Sequence, residues 1–243
     1  MSEKINVPDV TLTMTIGGRP SLLRQSLKTI VDNYEFPHVV AINEFNDRLC
    51  DEVFLEFFPN GVLISDGVKR GHHGAMSELY KHIETRFVLH TEDDWVFDGG
   101  INFDRIKKLL NENKKITEFC LRDVYSFLNA SEVSKIIANH LSGVSFFDLS
   151  NVHEEWYSYT FNPHLIKFEN IELLGDYRNY KKERHISRFF KKQGMFVAYA
   201  YPGVCHHIGD GLSVANPNAS KKKSKFRIWI RKKFNNLKLF FKM

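Results

Sequence analysis

What this 243-residue chain lacks narrows its reading first. It has three cysteines, Cys50, Cys120 and Cys205, an odd number set far apart. No disulfide framework fits that spacing, and free thiols point to a reducing, cytoplasmic setting. No stretch approaches the roughly 18 consecutive apolar residues of a bilayer-spanning helix, so none is expected. The opening MSEKINVPDVTLTM has no charged-then-apolar layout, and no secretion signal is expected either. No internal repeat is present. A phosphate loop of the G-x-x-x-x-G-K-[ST] kind is also missing: Gly71 and Gly74 flank His72-His73 without the Lys-Ser/Thr ending. Finally, the segment from Lys221 onward contains no acidic residue.

What is present is enough for one sizeable core, with 43% apolar residues. The net charge of +5 hides two unlike parts. Residues 221–243 hold ten of the 34 basic side chains, so the rest of the chain sets 24 against 29 acidic ones, a balance near −5. The body is mildly acidic and the tail strongly basic. Between them AsnProAsnAlaSer, 216–220, has linker composition. The expected division is a globular domain over 1–215 and a linker with a basic tail over 216–243.

Hydrophobic spacing supplies the order of elements. VTLTMTIG, 10–17, alternates and is β-branched, as in a strand. Gly17-Gly18-Arg19-Pro20 turns the chain, and Leu23, Leu27, Ile30 and Val31 follow at helical spacing. Strands are expected at 38–42, 61–65 and 87–89, with an amphipathic helix marked by Met76, Leu79, Tyr80 and Ile83 before the last. This β-α-β rhythm predicts an α/β sandwich with a mostly parallel sheet covered on both faces. Beyond residue 100 the spacing predicts helices over 103–110 and 183–193, strands over 156–162 and 195–201, and a helix opening at Pro163.

The chemistry concentrates in RFVLHTEDDWVF, 86–97. Three carboxylates, Glu92, Asp93 and Asp94, stand at the end of an apolar strand, and ligands of open α/β sheets bind at strand carboxyl ends. Packed carboxylates repel unless they are solvated or neutralised. A hard divalent ion, Mn2+ or Mg2+, suits all-oxygen ligands and keeps positions free for a substrate diphosphate. A solvated acidic turn is the plainer alternative, but it needs neither the apolar strand before it nor Trp95 after it. At neighbouring strand ends lie Thr15 and Arg19, Glu44, and Asp66, with Arg70, His72 and His73 just ahead of a helix where donors meet phosphate.

TLTMTIGGRPSLLRQSLKTI resembles the opening strand-turn-helix of nucleotide-sugar glycosyltransferases of the GT-A fold, family-2-like bacterial enzymes in particular. HTEDDWVF resembles their acidic metal motif, GHHGAMSELYKHIETRFVLH the helix before it, and YTFNPHLIKF and VCHHIGDG later blocks of bacterial lipopolysaccharide or capsule transferases. The likeness spans roughly 10–211. It implies a GT-A, Rossmann-like α/β/α sandwich that transfers a hexosyl or N-acetylhexosaminyl group from a UDP- or GDP-linked donor to a glycan or glycolipid, with inversion. By motif position Asp94, then Glu92, ligate the metal, His207 completes its shell, and Asp93 faces the donor together with Thr15, Arg19, Glu44, Asp66, Arg70 and His73. Glu183 is the expected general base, or a residue that only complements its helix dipole. Asp176 is the reserve, with Glu154 and Glu155 left open. Trp95, Trp156 and Tyr157 are expected to stack on sugar, or to be core.

On a helical wheel, 225–242 gathers Phe226, Trp229, Ile230, Phe234, Leu237, Phe240 and Phe241 into an arc of about 140° opposite Arg227, Arg231, Lys232, Lys238 and Lys242. That is the layout of a helix lying in an anionic membrane surface. Nucleic acid is not expected as a partner, because phosphate contacts need no apolar face; docking onto the acidic body is the alternative. The whole reads as a cytoplasmic enzyme, peripheral on the inner face of the membrane. Two other classes remain open: a nucleotidyltransferase, and a non-catalytic membrane-attached protein that binds nucleotide sugars.

Overall fold

Strand alternation in the first half explains how one sheet comes to carry helices on both faces. A computed structural model describes residues 4–209; the 216–220 linker and the amphipathic segment 225–242 lie outside the described residues. In chain order the elements are β1 (Ile5–Asn6), β2 (Val10–Ile16), α1 (Pro20–Val31), β3 (Tyr34–Glu35), β4 (His38–Asn43), α2 (Arg48–Phe57), β5 (Val62–Ile64), α3 (Gly71–Leu79), β6 (Phe87–Glu92) and β7 (Trp95–Phe97). Then follow α4 (Phe103–Glu112), β8 (Ile116–Cys120), α5 (Ala130–Val133), β9 (Ile137–Leu141), β10 (Val144–Asp148), β11 (His164–Lys167), α6 (Phe168–Leu174), α7 (Glu183–Lys191), β12 (Phe196–Ala200) and β13 (Cys205–His207).

Nine strands form the central sheet in the order β5-β4-β2-β6-β11-β8-β12-β10-β9. The first four are mutually parallel, β8 and β12 are parallel, and β9 runs the same way; only β10 and β11 oppose them. In β2, Val10, Leu12, Met14 and Ile16 point to one face, where Leu23, Leu27 and Ile30 of α1, Phe54 of α2 and Leu109 of α4 pack on them. Val40, Ile42 and Val88 face the other way, onto Met76 and Leu79 of α3 and Ile186 and Phe190 of α7. A third cluster, around Phe147, Val197 and Tyr199, fills the far end. The period-2 pattern thus yields two apolar layers from one set of strands.

The turns that aim the site have local causes. Gly18 takes φ +71, a left-handed conformation that glycine adopts freely. Pro20 then opens α1, where its missing N–H costs nothing. Arg19 is the N-cap residue but makes no side-chain cap; its guanidinium is used elsewhere. Asp47 caps α2 by accepting the Leu49 amide at 3.0 Å.

The expected strand over 156–162 is corrected, and so is the helix expected at Pro163. Residues 156–163 are irregular, and the strand is β11, directly after the proline. Side chains have claimed the amides of that stretch: Ser187 Oγ accepts from Ser158 at 3.0 Å, Glu118 Oε1 from Thr160 at 2.6 Å, and Thr160 Oγ1 from Asn162 at 3.1 Å. With those donors occupied no ladder can form. Pro163 needs no donor partner, and its carbonyl accepts the Leu121 amide at 2.8 Å.

Candidate functional site

At the carboxyl ends of β2, β4 and β6 lies a cavity of about 640 Å³, closed on one side by the start of α3 and on another by the residues after β13. Eight candidate residues named from the sequence line it: Thr15, Arg19, Glu44, His72, Glu92, Asp93, Asp94 and His207. They come from segments as far apart as residues 15 and 207, and the sheet converges them. β13 pairs antiparallel with β7, setting His207 opposite Trp95 and so beside the acidic turn.

The turn after β6 is fixed by backbone and side chain together. The Asp93 amide donates to the Thr15 carbonyl at 3.2 Å, and the Ile208 amide to the Asp94 carbonyl at 2.9 Å. Asp93 Oδ2 accepts the Gly17 amide at 2.8 Å, and its Oδ1 accepts from Arg19 Nη2. Asp94 Oδ2 accepts from Arg19 Nη1 at 2.7 Å and meets His207 Nε2 at 2.8 Å. The other oxygen, Asp94 Oδ1, is buried without a partner among the described residues. Gly209 sits so close that a Cβ there would collide with Asp94 Oδ2 and stand 2.8 Å from Arg19 Nη1.

Burial sorts the three acids. Desolvation pushes Glu92 up to about 7, with the Asp94 charge adding to it and a hydrogen bond from Trp95 Nε1 at 3.3 Å opposing. Desolvation also raises Asp93, against its bonds from Arg19 and Gly17. At Asp94 burial is outweighed: the His207 contact and Arg19 hold it below the usual carboxylate range.

Glu183 opens α7 but does not line the cavity. Burial lifts its carboxyl to about 7, against hydrogen bonds from Thr160 and the Phe161 amide and the nearby Arg122 charge. The ring centroids of Phe161 and His72 lie 4.3 Å apart at near right angles, and His72 does line the cavity, so Glu183 stands one residue behind that wall.

The remaining residues named from the sequence sit elsewhere. Asp66 and Arg70 are locked to each other at 2.8 Å, and the Arg70 amide is held by Glu44; their charges brace the loop before α3 and do not line the cavity. His73 turns behind the wall, its Nδ1 3.3 Å from the Tyr177 carbonyl; of the two histidines named together, His72 is the one that lines the cavity. Asp176 accepts from Ser77 at 2.7 Å and from Arg178 at 2.9 Å, which keep it ionised and away from the cavity; it is a poor base. Glu155 pairs with Arg188 at 3.1 Å and Glu154 is exposed.

The stacking role expected of Trp95 is corrected. It is 2% exposed, under His207 at 5.1 Å and Arg122 at 5.4 Å, and supports the site from below. Tyr157 is packed between Phe127 and Tyr199, and neither it nor Trp156 lines the cavity. The sequence reading left out Gly17, Phe45, Lys69 and Gly209. Gly209 had a visible signal in the His-Ile-Gly that follows His206; Lys69 and Phe45 had none, being ordinary loop residues until the strands converge.

Among the described residues no group of three or more His, Cys, Asp or Glu forms a ready metal shell. Mg2+-like ions, however, are commonly held by one or two carboxylates, with water and substrate phosphate completing the shell. An orphaned Asp94 Oδ1 and the His207 imidazole beside the same carboxylate fit that limited demand.

No family model matches the sequence, and no curated protein does. Solved structures do match. The mannosyltransferase PcManGT from Pyrobaculum calidifontis, in complex with GDP-Man and Mn2+, has TM-score 0.55 at 14% identity, over 79% of this chain and 56% of that one. The fold is GT-A. GalNAc-T7 with UDP, GalNAc and Mn2+ gives TM-score 0.57 at 10% identity, over 83% of this chain and 44% of the other. TarS 1–349 from S. aureus in complex with UDP gives 0.53 at 12%, over 79% and 57%. The chain spans about half the length of these GT-A structures.

Proposed function

We propose that the protein is an inverting, divalent-metal-dependent glycosyltransferase using a UDP- or GDP-linked sugar. One observation carries the reading: at the carboxyl end of β6, inside the cavity, Asp94 offers a buried oxygen that no described residue pairs, while its other oxygen meets His207 at 2.8 Å. The likeness to GT-A structures solved with GDP-Man and Mn2+, or with UDP, supports it.

Asp94 and His207 would hold Mn2+ or Mg2+, with Glu92 beside them. Bound there, such an ion stabilises the charge that gathers on a departing nucleoside diphosphate without moving a proton. Arg19 stands next to the same carboxylates, and Lys69, which also lines the cavity, adds a second positive charge toward the phosphates. Glu44 offers a carboxylate to the N–H groups of a base or the hydroxyls of a ribose. Neutral His72 forms wall, held near pKa 4 by burial. Glu183, held near 7 by burial one residue behind the His72 wall, is the candidate base for an acceptor hydroxyl that enters from its own side of that wall. The acceptor is a glycan or glycolipid of the bacterial surface, reached from the cytoplasmic face with the 221–243 tail resting on anionic lipid.

Incubation with UDP- and GDP-sugars and MnCl2 should release nucleoside diphosphate slowly, and faster once an acceptor is added. Asp94→Ala should abolish this; release at the parental rate would overturn the reading.

A further inference from the structure

Two neighbouring groups crowd onto one oxygen of Asp94. Its Oδ2 takes Arg19 Nη1 at 2.7 Å and His207 Nε2 at 2.8 Å together. Arg19 is not a surface side chain that happens to lean inward. Only 17% of its side chain is exposed, its Nε is buried without a partner among the described residues, and it gives α1 no side-chain cap. The space it fills lies between two residues without side chains: a Cβ at Gly17 would come within 2.9 Å of Nη2, and one at Gly209 within 2.8 Å of Nη1. The two halves of the fork differ. Asp93 has a second donor, the Gly17 amide, and its contact with Arg19 closes a tight loop within the turn. Asp94 has the orphaned oxygen and faces the cavity.

Building on the proposed function, we infer that Arg19 is a displaceable counter-ion of the donor site. Without donor it neutralises Asp93 and Asp94 together. When a divalent cation takes Asp94, the Nη1 branch is released toward the donor diphosphate, while the Nη2 branch keeps its hold on Asp93. A cation and a guanidinium beside one carboxylate repel each other unless an anion joins them. Metal alone therefore binds weakly, because the guanidinium on the neighbouring oxygen of the same carboxylate opposes it. Metal and diphosphate together bind well, since the freed guanidinium finds phosphate oxygen. Coupling of this kind is reciprocal and ordinarily about 5–150-fold.

The test is Mn2+ binding, read from the electron paramagnetic resonance of free Mn2+ with and without UDP or GDP, on the parent, Arg19→Gln and Arg19→Lys. Arg19→Gln should bind Mn2+ alone at least about fivefold more tightly than the parent, and the gain in Mn2+ affinity on adding nucleotide should shrink. Arg19→Lys keeps the charge and should stay near the parent. Equal affinity for Mn2+ alone in the parent and Arg19→Gln would overturn the inference and leave the proposed function standing. Mn2+ and nucleotide binding independently in the parent would also overturn it, and that arm needs no variant to fold. Failure of the parent and both variants to bind Mn2+, with either nucleotide or without, would overturn inference and function together.

Discussion

Glu183 and His164 depart from ordinary protonation in opposite directions for one reason: burial penalises whichever form is charged. Glu183 must lose its proton to act as base, so kcat/KM should rise with pH through about 7 and level off above it. A pH–rate profile checks this, and Glu183→Gln should abolish turnover while nucleotide binding persists. Stability follows separate signs. With a folded pKa near 7 against 4.5, Glu183 binds more protons native than unfolded between those values, so its contribution falls as pH rises across that window. His164, near 4 against 6.5, binds fewer protons native, so stability is lost as pH falls from 6.5 toward 4. Urea midpoints of His164→Gln should fall less steeply over that range than the parent's, by at most about 3 kcal/mol of stability.

Gly209→Ala belongs to the same scale. The added methyl has no room beside Asp94 Oδ2, so the acidic turn or the 208–209 backbone must shift. Nucleotide affinity in Mn2+ should drop at least about tenfold, with a 1.4 kcal/mol loss or more, while the thermal midpoint barely moves. Calorimetric titration and a melting scan separate the two. The acidic triplet could be read in the sequence because its members are adjacent. The Arg19 fork could not: its partners lie 74 and 75 residues away, and only the pairing of β2 with β6 brings them together. His72 and His73 are adjacent too, but the start of α3 at Gly71 decides which one faces the cavity.

Elements were legible where one period governs. β2, α1 and β4 follow their hydrophobic spacing almost to the residue, because each packs on one or two apolar layers and little else constrains it. Leu12, fully buried in β2 against α1, should cost about 2–5 kcal/mol on Leu12→Ala, measured by urea denaturation. The second half defied the same reading. The β9–β10 hairpin turns at Ser142-Gly143, both with positive φ, a two-residue turn whose Ser-Gly signal was available but stood between strands with exposed Ile137 and Leu141 and no clean alternation. The stretch 156–162 reads as a strand by composition, yet Ser187, Glu118 and Thr160 take its amides. A buried carboxylate from a distant strand is a tertiary fact that local propensity cannot carry.

At the scale of the whole molecule, the acidic body and basic tail predict two separable behaviours. Deleting 221–243 should leave the melting temperature of the remainder nearly unchanged and remove binding to vesicles of anionic lipid, measured by co-sedimentation at about 0.1 M salt, where charge attraction still reaches about 10 Å. Vesicle binding equal to the full chain would assign membrane contact to the body. The α/β/α layering was legible from the β-α-β rhythm alone; the antiparallel β11 wedged between β6 and β8 was not, since nothing local announces a strand's neighbours.

The small β7–β13 pair gives this protein two separate points of failure. Every strand of the large sheet is in place by Ala200, while the imidazole and the glycine that finish the cavity arrive only with the residues after Val204. A single nick near the exposed Tyr201 and Pro202 would spare the architecture and disarm the chemistry. Well-folded but inert material would then pass every test of shape, and only a test of ligand binding would expose it.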